Sequence, residues 1–319
     1  MAADTDYLLD RRLLKRKVGF WRIAAFAVAV VAVLAVGLVA GRDRITGAGI
    51  RGAHVAKVDI SGFITGDDKT IDLLKRVGKS NASAVLVMIN SPGGTVTGSE
   101  TLYDGLRELS AKKPTVAVVS GLAASGGYIA AMGTERIVAQ QTSLVGSIGV
   151  IFQSPNVTKL LESWGVAMDT IKSSPLKAAP NPLETTTPEA RAAMAAVIND
   201  SYQWFKGVVQ ERRKLQGAEL AGIADGRVFT GNQALGLKLI DEVGNEKQAI
   251  AWLEANKGVT KDLPVRTWKP EDGNRFGLWS AASGAAGALG FSDIATLLRG
   301  LAQSGNQPVL DGLLAVWHP

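Results

Sequence analysis

Ala84-Val85-Leu86-Val87-Met88-Ile89-Asn90-Ser91-Pro92-Gly93-Gly94 is the stretch that decides the fold class. Ala84 to Ile89 is uncharged, mixes β-branched with other apolar types, and is too short for an ordinary helix. It reads as a strand buried on both faces. Asn90 to Gly94 then supplies turn residues, so the chain is expected to close the strand there in a glycine turn. Working outward, His54 to Ile60 (HVAKVDI), Thr115 to Val119 (TVAVV), Arg136 to Ala139 and Ile148 to Phe152 read as further strands. Helical patterns separate them. Leu102, Leu106 and Leu109 share one helical face, Ile129 to Met132 follows a strand, and Met194, Val197, Ile198, Phe205, Val208 and Val209 share another face. The last helix opens with Thr187 as N-cap, Pro188 in the first turn and Glu189 at the positive end of the dipole. Strands separated by helices imply an α/β domain with a parallel sheet and flanking helices. With no internal repeat, one domain over residues 53–265 is the economical reading.

Composition removes several chemistries. The 319 residues include no cysteine and only two histidines, His54 and His318. A disulfide framework, a Cys/His nucleophile pair and zinc sites of Cys/His type are therefore excluded, and neither histidine sits in a motif that a Ser-His-Asp triad would need. Lys+Arg 35 against Asp+Glu 29 leaves a net charge of +6 on a chain only 20% charged, which is no nucleic-acid signature.

The amino end carries a different message. Residues 1–17 hold Arg11, Arg12, Lys15, Arg16 and Lys17, and within residues 18–40 the run Ile23 to Ala40 has no charge. That stretch reaches the roughly 20 residues that span a bilayer. A cleaved signal peptide is the alternative, but its apolar region is usually about 7 to 15 residues. We read residues 18–40 as a transmembrane anchor behind a cytoplasmic basic segment, since the denser positive charge stays inside. Residues 41–52, rich in Gly and Arg, read as a linker. Residues 266–319 form a tail: Phe276 to Phe291 is rich in Gly, Ala and Ser and reads as a flexible connector rather than a membrane-surface segment. Val309 to Trp317 (VLDGLLAVW) is apolar enough to dock on something.

The candidate chemistry lies at turns. Ala123-Ala124-Ser125-Gly126-Gly127-Tyr128 joins a strand to a helical pattern, which exposes a serine beside the free N–H groups of a helix start. This turn and Asn90–Gly94 fall at the same edge of a parallel sheet, where ligands of such sheets bind. Gly94 and Gly126 can then supply two N–H donors around one developing oxyanion. A serine needs a base, and with histidine removed the candidates are a lysine or a carboxylate. A lysine serves only when neutral, and bringing an amine from about 10.4 to near 7 costs roughly 4 to 5 kcal/mol. Lys172 lies three residues after Asp169, whereas Lys177 is flanked by Pro175, Leu176, Ala178, Ala179 and Pro180 and is remote in sequence from any acid. Local chemistry favours Lys177, with Lys172 as the alternative base. In Leu144-Val145-Gly146-Ser147-Ile148-Gly149-Val150, Ser147 is placed to orient the amine.

In this order, Asn90-Ser91-Pro92-Gly93-Gly94, Ala123 to Tyr128, Val145 to Val150 and Ile171-Lys172-Ser173 with Lys177 resemble the bacterial signal peptide peptidase A (SppA, protease IV) family. Asp225-Gly226-Arg227-Val228-Phe229-Thr230-Gly231 and Gly236-Leu237 through Ile240-Asp241-Glu242-Val243-Gly244 extend the likeness over about residues 53–255. The resemblance implies a serine/lysine dyad endopeptidase on a ClpP/crotonase-like α/β fold, needing no cofactor and no metal. It also implies anchoring in the cytoplasmic membrane with the catalytic domain on the periplasmic side, assembly into a homo-oligomeric ring or bowl, and digestion of cleaved signal peptides. By position, Ser125 matches the nucleophile, Lys177 the base, Gly94 and Gly126 the oxyanion donors and Ser147 the serine contacting the lysine. A crotonase-type acyl-CoA enzyme and a catalytically silent membrane scaffold of the same fold are the rival readings.

Overall fold

The computed structural model describes residues 52–270 and, as backbone, the strand 314–316. The expected cytoplasmic segment 1–17, the anchor 18–40, almost all of the linker 41–52 and most of the tail 266–319 lie outside the described residues. Among the described residues no helix is long and apolar enough to cross a membrane.

The elements run β1 (His54–Ile64), α1 (Asp68–Lys79), β2 (Ala82–Thr95), α2 (Val96–Ser110), β3 (Thr115–Ala124), α3 (Gly126–Met132), β4 (Arg136–Ala139) and β5 (Leu144–Gly146). They continue with α4 (Thr158–Ser163), α5 (Pro188–Arg213), α6 (Gly217–Ala221), β6 (Val228–Thr230), α7 (Gly231–Gly236), β7 (Glu242–Val243), α8 (Glu246–Asn256), β8 (Val265–Trp268) and β9 (Leu314–Val316). One sheet has the order β6-β5-β3-β2-β1-β8, with β4 beside β3, β7 beside β4 and β9 beside β2. Pairings β1–β2, β2–β3, β3–β4, β3–β5, β4–β7 and β1–β8 are parallel. The expected all-parallel sheet needs correcting at two places, because β6 runs antiparallel to β5 and β9 antiparallel to β2. β6 forms one end of the sheet and β9 pairs only with the last three residues of β2, where a strand running in either direction satisfies the open backbone groups.

Local sequence explains most of these boundaries. Val85, Leu86, Val87 and Ile89 are wholly buried, as a strand covered on both faces requires, each worth roughly 1.5–3 kcal/mol. Ala84 and Leu86 pack with Val55, Val116, Val118 and Val138 against Ala249 and Leu253 of α8. By alternation Val85, Val87 and Ile89 face the opposite side, which α2 and α3 cover. Leu102, Leu106 and Leu109 are buried on α2 as their spacing predicts. Side-chain caps start the helices: Asp67 accepts from Thr70 N–H, Thr95 from Gly98 N–H and Thr187 from Ala190 N–H.

Two expectations fail. Asn90–Gly94 is no turn: β2 continues to Thr95, with the ladder to β1 shifting register between Ser61 and Phe63 and that to β3 between Ile89 and Ser91. Ser91 makes this possible, since its buried hydroxyl donates to Gly62 O at 2.6 Å and accepts from Gly93 N–H at 3.1 Å, bracing both bends. Ile148–Phe152 is not a strand; β5 lies earlier, and only Ile151 makes an isolated bridge. On α5, Phe205, Val208 and Val209 are buried, but Val197 is 46% exposed and Met194 and Ile198 are only half-buried. The first half of this helix carries an apolar face that the described residues do not bury.

Candidate active site

Ser125 stands alone between β3 and α3. Its backbone has φ 51° and ψ −115°, a conformation costing a non-glycine residue about 1–3 kcal/mol. Hydrogen bonds on both sides impose it. Ser125 N–H donates to Gly146 O at 2.8 Å, prolonging the β3–β5 ladder, and its carbonyl accepts from Tyr128 and Ile129 N–H at 2.9 and 3.0 Å, opening α3. One residue therefore ends a strand and begins a helix, with no room to relax. Ser125 is 1% exposed, and its hydroxyl makes one long contact, donating to Gly149 O at 3.4 Å. Gly126, first residue of α3, carries an N–H with no acceptor inside the helix.

β2 supplies the facing wall. A Cβ on Gly127 would lie 2.7 Å from Ser91 O, so α3 starts in direct contact with the Ser91 backbone. Gly94 is tighter, since a Cβ there would sit 1.8 Å from Ile64 O. Ser147 also adopts φ 51° and follows β5, as Ser125 follows β3; since Ala124 pairs with Gly146, the two serines leave adjacent strand ends. Ser147 N–H donates to Arg227 O at 2.8 Å. The Asp225–Gly231 motif thus braces the site, because Asp225 receives the Arg227 guanidinium at 2.7 Å and the Arg227 carbonyl holds Ser147.

The two lysines have different surroundings. Lys172 forms an ion pair with Glu184 and is mostly covered. Its hydrogen bond holds the Glu184 carboxyl below the usual carboxylate range. Lys177 is exposed, and among the described residues its amine has no ion pair or hydrogen bond. Neither lysine is hydrogen-bonded to Ser125 or Ser147. The segment carrying them is openly apolar: Trp164 is 70% and Ile171 97% exposed, with Leu160, Met168, Leu176 and Leu183 also exposed. His54 is a core residue, donating from Nδ1 to Gly52 O and accepting at Nε2 from Trp268 Nε1, on which it stacks. Its hydrogen-bonding capacity is spent there, which closes the histidine route for this residue; His318 lies outside the described residues.

Several residues that hold α3 escaped the sequence reading. Arg212 of α5 donates to Met132 O and Thr134 O, both at 2.9 Å, satisfying carbonyls at the helix end. Asp241 accepts from Ile137 N–H at 2.7 Å and from Arg213 at 2.9 Å. Tyr128, fully buried, donates its hydroxyl to Leu239 O at 2.7 Å, and burial keeps that hydroxyl protonated far into the alkaline range. Tyr128 and Asp241 lie within recognisable motifs, but nothing local signals their partners, and no pattern marks Arg212. Tyr128→Phe should leave the Leu239 carbonyl unpaired and cost about 1–2 kcal/mol, read as a lower urea midpoint. An unchanged midpoint would show that the hydroxyl does not support the helix.

Residues 107–260 match the family model described as Peptidase family S49. A provisionally named protease from Synechocystis sp. is 38% identical over 210 residues, 65% of this chain and 76% of that one. The chain belongs to peptidase family S49. A provisionally named signal peptide peptidase SppA from Enterococcus faecium is 30% identical over 69% of each chain. The chloroplastic serine protease SPPA of Arabidopsis thaliana is 33% identical over 67% of this chain and 32% of its own. S49 membership supports a protease over the acyl-CoA reading. The mixed α/β sheet with flanking helices agrees with it.

Proposed function

We propose that this S49 chain is a membrane-anchored serine endopeptidase that cleaves apolar, extended peptides such as spent signal peptides. The observation that carries the reading is Ser125: a buried serine in a strained conformation, at the junction of a strand and a helix start, in a chain of a peptidase family. Strain of this kind persists only where surrounding bonds impose it, and it aims one side chain. Ser125 Oγ gives its proton to the Lys177 amine and attacks the peptide carbonyl. Gly94 and Gly126 N–H groups hold the oxyanion, the lysine returns the proton to the leaving amine, and water releases the acyl group. Ser147, on the neighbouring strand end, orients the amine.

Lys177 is the better base because Lys172 already serves Glu184. The exposed apolar segment around Lys177 supports a homo-oligomer of ring or bowl form, in which a neighbouring copy covers Trp164, Ile171 and Leu176 and encloses the amine. The base then acts on Ser125 of its own or an adjacent subunit. The fold is ClpP/crotonase-like in this reading. Residues 18–40 anchor it in the cytoplasmic membrane, with residues 41 onward on the periplasmic side.

A fluorophosphonate probe tests the proposal. The adduct should map to Ser125 by mass spectrometry, disappear in Lys177→Ala and persist in Lys172→Ala. Labelling lost in Lys172→Ala and kept in Lys177→Ala would exchange the two roles.

A further inference from the structure

Within the apolar stretch Val309–Trp317, the described residues Leu314–Val316 form a strand of the sheet. In β9, Leu314 lies opposite Thr95, Ala315 opposite Gly94 and Val316 opposite Gly93, antiparallel to β2. Here β2 has one edge to offer. β1 holds the other through Phe63 with Gly93 and Ile64 with Gly94. β3 covers the remaining edge as far as Ser91 with Ala123, then turns away at Ser125 into α3. Ser125 follows two residues after Ala123, and Gly93, the partner of Val316, two residues after Ser91. β9 therefore pairs with the stretch of β2 that β3 leaves open, at Gly93–Thr95.

We infer that Leu314–Val316 is the resident occupant of the strand site for substrate, an internal competitor that holds the peptidase in a low-activity state. The inference rests on the peptidase reading and adds regulation and direction to it: a substrate peptide runs antiparallel to β2 along Gly93–Thr95. Pairing through the backbone gives affinity whatever the sequence, so a segment of this chain and a foreign peptide compete for the same groups. Leu314-Ala315-Val316 is uncharged and apolar, the class expected of the substrate. Three paired residues bind weakly alone, but a tethered segment acts at an effective concentration on the order of 1 mM. With an intrinsic affinity of about 100 μM it raises the apparent KM about tenfold. A competitor of that strength yields to a longer, better-paired substrate.

The test uses the full chain, a chain ending at Asn306, and a full chain carrying Ala315→Pro with Val316→Pro. Of two neighbouring strand residues one turns its N–H toward the partner strand, so the double proline removes the donor in either register. Both variants should lower the KM for a fluorogenic apolar peptide about tenfold with kcat unchanged. A synthetic peptide of residues 309–319 should inhibit the shortened chain competitively. In a Ser125→Ala background, the same peptide carrying a dye should bind the shortened chain about tenfold more tightly than the full chain, read by fluorescence anisotropy. Equal KM values and equal peptide affinities in full and shortened chains would overturn the inference. If no form hydrolyses peptide, the peptidase reading fails, while anisotropy in the inactive background still decides whether Leu314–Val316 occupies the site.

Discussion

Ser125→Ala should lower kcat/KM for an apolar peptide by roughly 10⁴-fold or more, the scale on which removal of a nucleophilic serine acts. Stability should barely change. The hydroxyl makes only its 3.4 Å contact with Gly149 O, so its loss costs less than about 1 kcal/mol. Alanine also inherits the same positive φ, so the strain is neither added nor removed. Ser125→Gly should be as inactive yet more stable by about 1 kcal/mol, because glycine occupies φ 51° without the Cβ penalty. A position where activity collapses while glycine improves stability is one where strain serves function. Peptide hydrolysis and melting curves on the same preparations check both halves. Hydrolysis that survives in Ser125→Ala would remove Ser125 from the mechanism.

Gly94→Ala is expected to be the most damaging single methyl group in the described fold. The added Cβ would lie 1.8 Å from Ile64 O, 2.5 Å from Ile64 C and 2.6 Å from Ile64 N, all backbone atoms in the paired strand. No side chain can swing aside to relieve the clash, so β1 must separate from β2. Overpacking of this kind costs about 3 kcal/mol or more, and moving the Gly94 N–H, the proposed oxyanion donor, should lower kcat by a further factor of roughly 10²–10³. The companion control is Gly78→Ala on α1, where the nearest atoms are Leu109 Cδ1 and Lys112 Cδ at 3.6 Å. There the substitution should be neutral or stabilising by roughly 0.5–1 kcal/mol. A Gly94→Ala protein with native melting temperature and activity would show that β1 and β2 have room to spare at this contact.

The legible part of the fold was the part governed by local pattern. β4 coincides with the expected Arg136–Ala139, the Thr187 cap starts α5, and the Leu102, Leu106, Leu109 face is buried. Asn90–Gly94 misled because Pro and Gly ordinarily end a strand. Here the Ser91 hydroxyl supplies the bonds that the irregular ladder lacks, and its acceptor, Gly62 O, lies 29 residues away. Ile148–Phe152 misled for the opposite reason: apolar residues follow a strand that has already ended at Gly146. The exposed half of α5 was unreadable because helical periodicity marks an apolar face and says nothing about what covers it.

At the site, the amino-acid sequence by itself established the residue types available for catalysis. With no cysteine and two histidines outside any motif, a serine beside glycines needed a lysine or carboxylate base, a consequence of composition and acid–base chemistry. It also located the strand-to-helix turn at Ser125, since the strand Thr115–Val119 precedes it and the helical pattern Ile129–Met132 follows it. Tertiary structure alone decided that Ser125 and Ser147 leave neighbouring strands with the same positive φ, that Glu184 engages Lys172, and that Leu314–Val316 lies against Gly93–Thr95. Each depends on partners outside its own stretch of chain. Pairing between distant segments is set by the geometry of the whole sheet, and no local window of sequence carries that information.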